Sequence, residues 1–457
     1  MSRISGPEAE LYFQQGLQLS RAGAYEDAVT SFDQALQLHP GLAKLWFFRG
    51  MALCDLGRYT EAVASFHQAI DFQANYPEAL NNCGIALFNL GSYEAAIAAY
   101  DQALKQQPNY YQAWFNRGNA FDKLECYQAA LESYQRALAI EPDYAKAWFN
   151  QGITQGKLGQ YEAAIASYDQ AIAFRPHYSN AWYNRANVLY RLGLHQAALE
   201  SYQRVIDIKP DWYGAWCNLG NLLHKLGRNP EAIAAYDRAL ALQPDLYQAW
   251  HTRGLALDAI GHYPEAIASY RQALTLKPDL TTVWYHCGSA LHKAGEYETA
   301  IAHYEAAIKL EPRFARAWAN RGTTFRKLAQ YAEALLNYDK AVQAQPNLYE
   351  AWYGRGIALN HLGRNEAAIE SYDRALAINA EFYPAWYSRG VAFDHLGNAT
   401  AAIASYDEAL RLQPNFPEAV SRRNLALKQP NRVELDRDRD KDFGLPTGSN
   451  ISLVDPC

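Results

Sequence analysis

Apolar, small and aromatic residues recur along this chain in a pattern that returns every 34 residues. Trp114, Trp148, Trp182, Trp216, Trp250, Trp284, Trp318, Trp352 and Trp386 mark it, each one period from the next. Trp46 stands two periods before Trp114, with Leu80 between them. With this residue counted as position 4, position 8 is Gly in eleven units and Ala186 in the other. Position 20 is always Ala, position 24 always Phe or Tyr, and position 27 is Ala except at Val205. The spacing predicts two amphipathic helices per unit. Small residues at 8, 20 and 27 let helix backbones approach, and the rings at 4 and 24 fill the space beside them. Gly near position 15, as at Gly57, Gly159 and Gly295, ends the first helix. Pro at position 32, in all units but those with Ala74 and Ala380, ends the second. One such pair cannot bury its apolar face alone, so the pairs must stack.

The expected fold class is all-α, a right-handed alpha-alpha superhelix. Twelve units run without insertion from Ala9 to Phe416: 9–42, 43–76, 77–110, 111–144, 145–178, 179–212, 213–246, 247–280, 281–314, 315–348, 349–382 and 383–416. Residues 1–8 form a leader. Residues 417–428 keep helical spacing but carry Val420 and Asn424 in place of Trp and Gly, which predicts a capping helix. Residues 429–457 contain the run ELDRDRDKD and are expected to be disordered.

Composition and charge narrow the function. A formal charge of −6 over 457 residues gives no sign of nucleic-acid binding. No 18-residue apolar run is present, so no membrane insertion is expected. The first residues, MSRISGPEAE, lack the apolar stretch of a secretory signal. Cys54, Cys83, Cys126, Cys217, Cys287 and Cys457 form no CxxC pair, which fits free thiols in the cytoplasm. With Cys457 as the last residue of the sequence, no prenylation box is expected, and the sequon at Asn450 is not expected to be used.

The string of Trp or Leu at 4, Gly at 8, Ala at 20, Phe or Tyr at 24, Ala at 27 and Pro at 32 resembles the tetratricopeptide-repeat family over about nine tenths of the chain. The resemblance implies a solenoid that binds proteins rather than catalysing a reaction. The style of the repeats is similar to bacterial, particularly cyanobacterial, members. Position 7 departs from the family, which usually has Leu there.

Seven units carry Arg at position 7, and each has an acid sixteen residues earlier. The pairs are Asp33/Arg49, Asp101/Arg117, Asp169/Arg185, Asp237/Arg253, Glu305/Arg321, Asp339/Arg355 and Asp373/Arg389; Asp407/Arg423 continues the series into the capping helix. His67/Cys83, Gln135/Gln151, Gln203/Leu219 and Arg271/Cys287 have no acid–Arg combination. Acid and Arg occurring together predict eight structural ion pairs between successive repeats. If desolvated, losing one partner costs about 3–5 kcal/mol.

In the family, positions 2, 5, 6, 9, 12 and 13 of the first helices line a concave groove. Here they offer Asn116, Asn119, Asn150, Asn184, Asn187, Asn218 and Asn221, with Phe115, Phe149 and Tyr183 at position 5. Lys123, Lys157, Arg191 and Lys225 stand at position 13, followed by Lys293 and Lys327. Amides both donate and accept, so a row of them suits an extended peptide backbone, and the cations favour an acidic one. Position 5 is never Lys and position 6 never Arg, so the carboxylate clamp of chaperone-binding members is absent. His224, His251, His286 and His292 lie near Cys217 in sequence, but His286 and His292 diverge on their helix, and no metal or cofactor is expected. Asp122, Asp258 and Asp394 recur at position 12 and are read as solvated groove residues. The expected function is a protein-interaction scaffold with a protein or peptide partner and no catalytic residues. The alternative is a targeting or regulatory subunit of a separate enzyme.

Overall fold

The computed structural model describes residues 7–428, and among them there are 25 helices and no strand. The expected disorder of 429–457, most of the 1–8 leader, Asn450 and Cys457 lie outside the described residues. The chain divides into an N-terminal unit ending at Asp211 and a C-terminal unit beginning at Trp212. The first holds the helix pairs of repeats 1–6, and the second those of repeats 7–12 with the last helix, Pro417–Lys428. We call the two helices of each repeat A and B. In repeat 2 they are Ala43–Asp55 and Tyr59–Phe72. The first helix, Pro7–Arg21, begins two residues before the repeat boundary at Ala9.

The turn from A to B follows from position 15. Gly57 has φ +75°, and the chain closes with Arg58 N–H donating to the Leu53 carbonyl at 2.8 Å. That bond satisfies a carbonyl left open at the helix end, and it needs a left-handed residue. Glu125 and Ala329 occupy this position at φ 59° and 58°, held by the same bond from Cys126 to Phe121 and from Gln330 to Phe325. A side chain with a Cβ is strained there, so Glu125→Gly and Ala329→Gly should each stabilise the chain by about 1 kcal/mol. The check is the urea midpoint of each variant, and a lower midpoint would contradict the account.

Inside each pair, position 8 sits on the ring at position 24. A Cβ built on Gly118 would lie 2.5 Å from the Tyr134 ring, which is itself 1% exposed. Between pairs, the Trp at position 4 lies over the end of the preceding B helix. Nine of these indoles donate to the carbonyl of position 32 before them, from Trp46 to Pro40 at 2.7 Å through to Trp386 to Ala380 at 2.9 Å. The carbonyl left open where Pro or Ala follows the helix thus gains a partner. Sequence pattern places the Trp and the Pro, and this bond explains why they travel together.

Candidate binding face and the junctions that position it

The eight acid–Arg pairs all come together, within one unit or the other. Arg49 Nε donates to Asp33 Oδ1 at 2.6 Å, and the distance is 2.6–2.7 Å at Arg117, Arg185, Arg253, Arg355 and Arg389. Arg321 reaches Glu305 through Nη2 at 3.2 Å, and Arg423 meets Asp407. Sequence reasoning missed a third member. The Arg Nη1 donates to a Ser at position 23 of its own repeat: Ser65, Ser133, Ser201, Ser269, Ser371 and Ser405, at 2.6–2.9 Å. The guanidinium also lies 5.5–5.9 Å from the position 4 indole ring of the same helix. In repeat 10 the Ser is replaced by Asn337, whose amide turns to Glu333, and Arg321 Nε has no partner. Six of the eight arginines are thus clamped on three sides. The acids are not desolvated, with side chains 44–65% exposed. The 3–5 kcal/mol expected for losing either partner therefore does not apply to the acid.

On the A-helix face of the N-terminal unit, the asparagines bond to one another. Asn119 Oδ1 accepts from the Tyr134 hydroxyl at 2.9 Å and from Asn150 Nδ2 at 2.7 Å. Asn116 Nδ2 donates to Asn81 Oδ1 at 3.0 Å, and Asn187 Oδ1 accepts from Tyr202 at 2.6 Å. Asn184 is half-buried. Phe115 packs against Tyr134 and Tyr144 at 6.0 and 5.0 Å, Phe149 against Tyr168 and Tyr178 at 6.0 and 4.8 Å, and Tyr183 against Tyr202 at 6.1 Å. These rings form the floor of the face rather than projecting from it. In the C-terminal unit, Asn221 Oδ1 accepts from Tyr236 at 2.8 Å, and Asn218 is half-buried. The position 24 tyrosines, read from sequence as packing residues, therefore also set the orientation of the amides.

The basic row is partly committed. Lys157 Nζ lies 2.5 Å from Asp122 Oδ2 and 5.3 Å from the Tyr127 ring centre. Arg191 donates to the Tyr161 hydroxyl at 3.1 Å, and Lys293 lies 2.7 Å from Asp258 Oδ2. Lys123 and Lys225 are exposed. The reading of Asp122 and Asp258 as solvated groove residues is corrected: their side chains are 17% and 11% exposed, each locked to a lysine of the following repeat. Asp394 is bonded to the Tyr406 hydroxyl at 2.5 Å.

The histidines of the C-terminal unit pack singly and in a pair. His251 Nε2 and His286 Nδ1 are 3.0 Å apart with stacked rings, while His292 turns the other way to Thr324 at 2.9 Å. Burial pushes their pKa values down from 6.5, to about 4 for His251, about 3 for His286 and about 4 for His292. His224 Nδ1 is 2.6 Å from Asn229 Oδ1. Among the described residues, no group of three or more His, Cys, Asp or Glu side chains is placed to hold a metal ion. Among them, too, no helix is long and apolar enough to cross a membrane.

A tetratricopeptide-repeat model matches residues 84–145, 149–211 and 319–384, and a TPR-repeat model matches 50–91, 258–295 and 288–328. A further tetratricopeptide-repeat model matches 213–246 and 383–416. The chain belongs to the tetratricopeptide-repeat family. Its fold is an all-α solenoid of tandem helix pairs. Among solved structures, this repeat protein is similar to the Cut9–Hcn1 hetero-tetramer of the APC/C, at 14% identity over 93% of this chain and 97% of that one, TM-score 0.45. It is similar to yeast Tom70, at 14% identity over 92% and 96%, TM-score 0.38. A third likeness is to YrrB, described as a TPR protein with an unusual peptide-binding site, at 23% identity over 42% and 98%, TM-score 0.37. No curated protein matches the chain.

Proposed function

We propose that this tetratricopeptide-repeat protein is an interaction scaffold that holds extended peptide segments of partner proteins on the A helices of repeats 4–6. The amide ladder Tyr134–Asn119–Asn150 carries the reading. Two donors on Asn119 Oδ1 fix that amide, so its Nδ2 is left to donate, while Asn150 has spent one Nδ2 proton and keeps Oδ1 to accept. A donor and an acceptor held side by side match the alternating C=O and N–H groups of an extended backbone. The half-buried Asn184 continues the row one repeat on. The reading assigns the chain no reaction of its own, and it places the protein in the cytoplasm, where five described free thiols would persist.

The test is recovery of a native partner on the immobilised full chain, compared with the Asn150→Ala, Asn184→Ala double variant. Each lost amide–backbone pair is worth about 1 kcal/mol, so recovery should correspond to an affinity at least about tenfold weaker. Unchanged affinity in a variant with wild-type circular dichroism would move the site elsewhere.

A further inference from the structure

Eight junctions between successive repeats carry the acid–Arg clamp. Three others, each inside one unit, do not: 2/3 with His67 and Cys83, 4/5 with Gln135 and Gln151, and 8/9 with Arg271 and Cys287. Two of these three are tied elsewhere. At 4/5, Lys157 Nζ donates to Asp122 Oδ2 at 2.5 Å, and the Thr154 hydroxyl donates to Asp122 Oδ1 at 2.9 Å. At 8/9, Lys293 Nζ donates to Asp258 Oδ2 at 2.7 Å. Along the chain, position 12 and position 13 of the next repeat are an acid and a lysine at these two junctions and at no other. Junction 2/3 has Cys54 and Asn89 there.

The new place of the tie has mechanical consequences. The clamp at position 7 stands three residues from the Trp at position 4, which is pinned to the preceding repeat. Positions 12 and 13 stand at the far end of helix A, about 13 Å from that pin. Trp148 and Trp284 keep their bonds to the Pro142 and Pro278 carbonyls, at 2.8 Å each. Each of the two junctions is thus pinned at one end of helix A and latched at the other, with no charged clamp between. Asn150 with Asn119 and His286 with His251 cross between pin and latch, and both pair uncharged groups. The stack side of junction 4/5 is loose. Gln151 Nε2 donates to Ser167 of its own repeat at 3.1 Å, and among the described residues its buried Oε1 has no hydrogen-bond partner. Gly156, in the last turn of Ala145–Lys157, has nothing within 4 Å of where a Cβ would stand, so packing does not require the glycine, which leaves the helix end easier to bend. At 8/9, Asp258 Oδ1 is buried without a partner, and Ala290 stands where repeat 5 has Thr154.

We infer that junctions 4/5 and 8/9 are hinges latched from the A-helix face by Asp122–Lys157 and Asp258–Lys293. With the latch closed, the two repeats hold their spacing. With it open, the second repeat of the junction swings about its pinned Trp, a freedom that the position 7 clamp denies to the other junctions. An opening of about 15° over a lever of about 13 Å moves the latch end by about 3 Å. The inference rests on the junctions and not on the peptide reading of the asparagine ladder.

Spin labels at Ser92→Cys and Gln160→Cys, both exposed and at position 16 of repeats 3 and 5, span one clamped junction and one latched one. Cys54, Cys126, Cys217 and Cys457 are replaced by Ser, and Cys83 and Cys287 are buried away from the reagent. Double electron–electron resonance reads the distance distribution in the full chain. Asp122→Asn keeps an acceptor for Thr154 and releases Lys157, 39% exposed, to water. It should broaden the distribution by at least about 3 Å. Asp101→Asn, at the clamped junction 3/4, should leave the width within about 1 Å of the parent, because the lost pair is solvent-screened and Ser133 and Trp114 still hold Arg117. Gln135→Asp with Gln151→Arg builds at 4/5 the clamp that other junctions carry, with Ser167 already at position 23. Added to Asp122→Asn, it should return the width to that of the parent. An unchanged distribution in Asp122→Asn, equal broadening by Asp101→Asn, or a width that the built clamp fails to reduce in a chain of wild-type circular dichroism would overturn the hinge. The comparison of the two Asp→Asn variants decides even where the built clamp does not fold.

Discussion

Lowering the pH from 7 to 5 should loosen the C-terminal unit around repeats 8–10 by several kcal/mol. His251, His286 and His292 are held neutral by burial, at about 4, about 3 and about 4 against an ordinary value of 6.5. An unfolded chain binds the protons that the folded chain refuses, so below about pH 6.5 stability falls with pH, and it continues to fall until the folded values near 3–4 are reached. Between pH 7 and 5 each imidazole accounts for about 2 kcal/mol. Ordinary carboxylates titrate about a unit lower, which keeps the two effects apart. Hydrogen exchange in the helices Tyr247–Ala259 and Thr281–Lys293, corrected for intrinsic rates, reads the change locally, as suits a repeat array that does not unfold all at once. The variant His251→Phe, His286→Asn places at position 5 and at position 6 of the next repeat the residues that earlier junctions carry there, Phe115 with Asn150 and Phe149 with Asn184. It keeps the packing and removes two titrations, so its protection should change much less. Equal loss of protection in variant and wild type would sink the account.

How much of this was legible beforehand depends on sequence distance. Contacts inside a 34-residue period are repeated many times over, so the helix pairs, their turns and the sixteen-residue acid–Arg offset stand out in the chain itself. What was hidden links position 12 of one repeat to position 13 of the next, 35 residues on, as Asn360 with His395 and, in two ion pairs, as Asp122 with Lys157 and Asp258 with Lys293. A search for acid–base pairs at that offset would have found both. The serine beneath six of the arginines was harder, because Ser31 and Ser167 occupy position 23 in repeats that have no Arg at position 7. The asparagine row was legible as composition but not as geometry: only coordinates show that Asn119 and Asn150 spend part of their hydrogen-bonding capacity on each other. The same holds for His251 and His286, whose bond crosses a repeat boundary that helix periodicity cannot see.

Removing the arginine of a junction should cost far more than removing its acid. Arg253 is 20% exposed, donates to Asp237 and Ser269 at 2.6 Å each, and lies 5.8 Å from the Trp250 ring. Asp237 is 52% exposed, so water can replace what it loses. Asp237→Asn keeps an acceptor for the guanidinium and gives up a solvent-screened charge, a cost of about 0.5–1 kcal/mol. Arg253→Ala strips the methylene stem and guanidinium from the space between two repeats, losing a charged hydrogen bond to a fully buried serine and the contact with the indole, for about 2–3 kcal/mol. Ser269 retains its bond to the Glu265 carbonyl at 2.9 Å, so the deficit lies in packing and charge rather than in an orphaned hydroxyl. Arg253→Leu separates those two contributions: the stem is replaced and only the polar contacts go, so it should fall between the other variants. Denaturant midpoints of the three, with Arg321→Ala as a fourth, give the order. Arg321 has no serine partner and one longer contact to Glu305, so its loss should cost less than that of Arg253. Equal losses for Asp237→Asn and Arg253→Ala would mean that the ion pair itself, and not the clamp around the arginine, holds adjacent repeats in register.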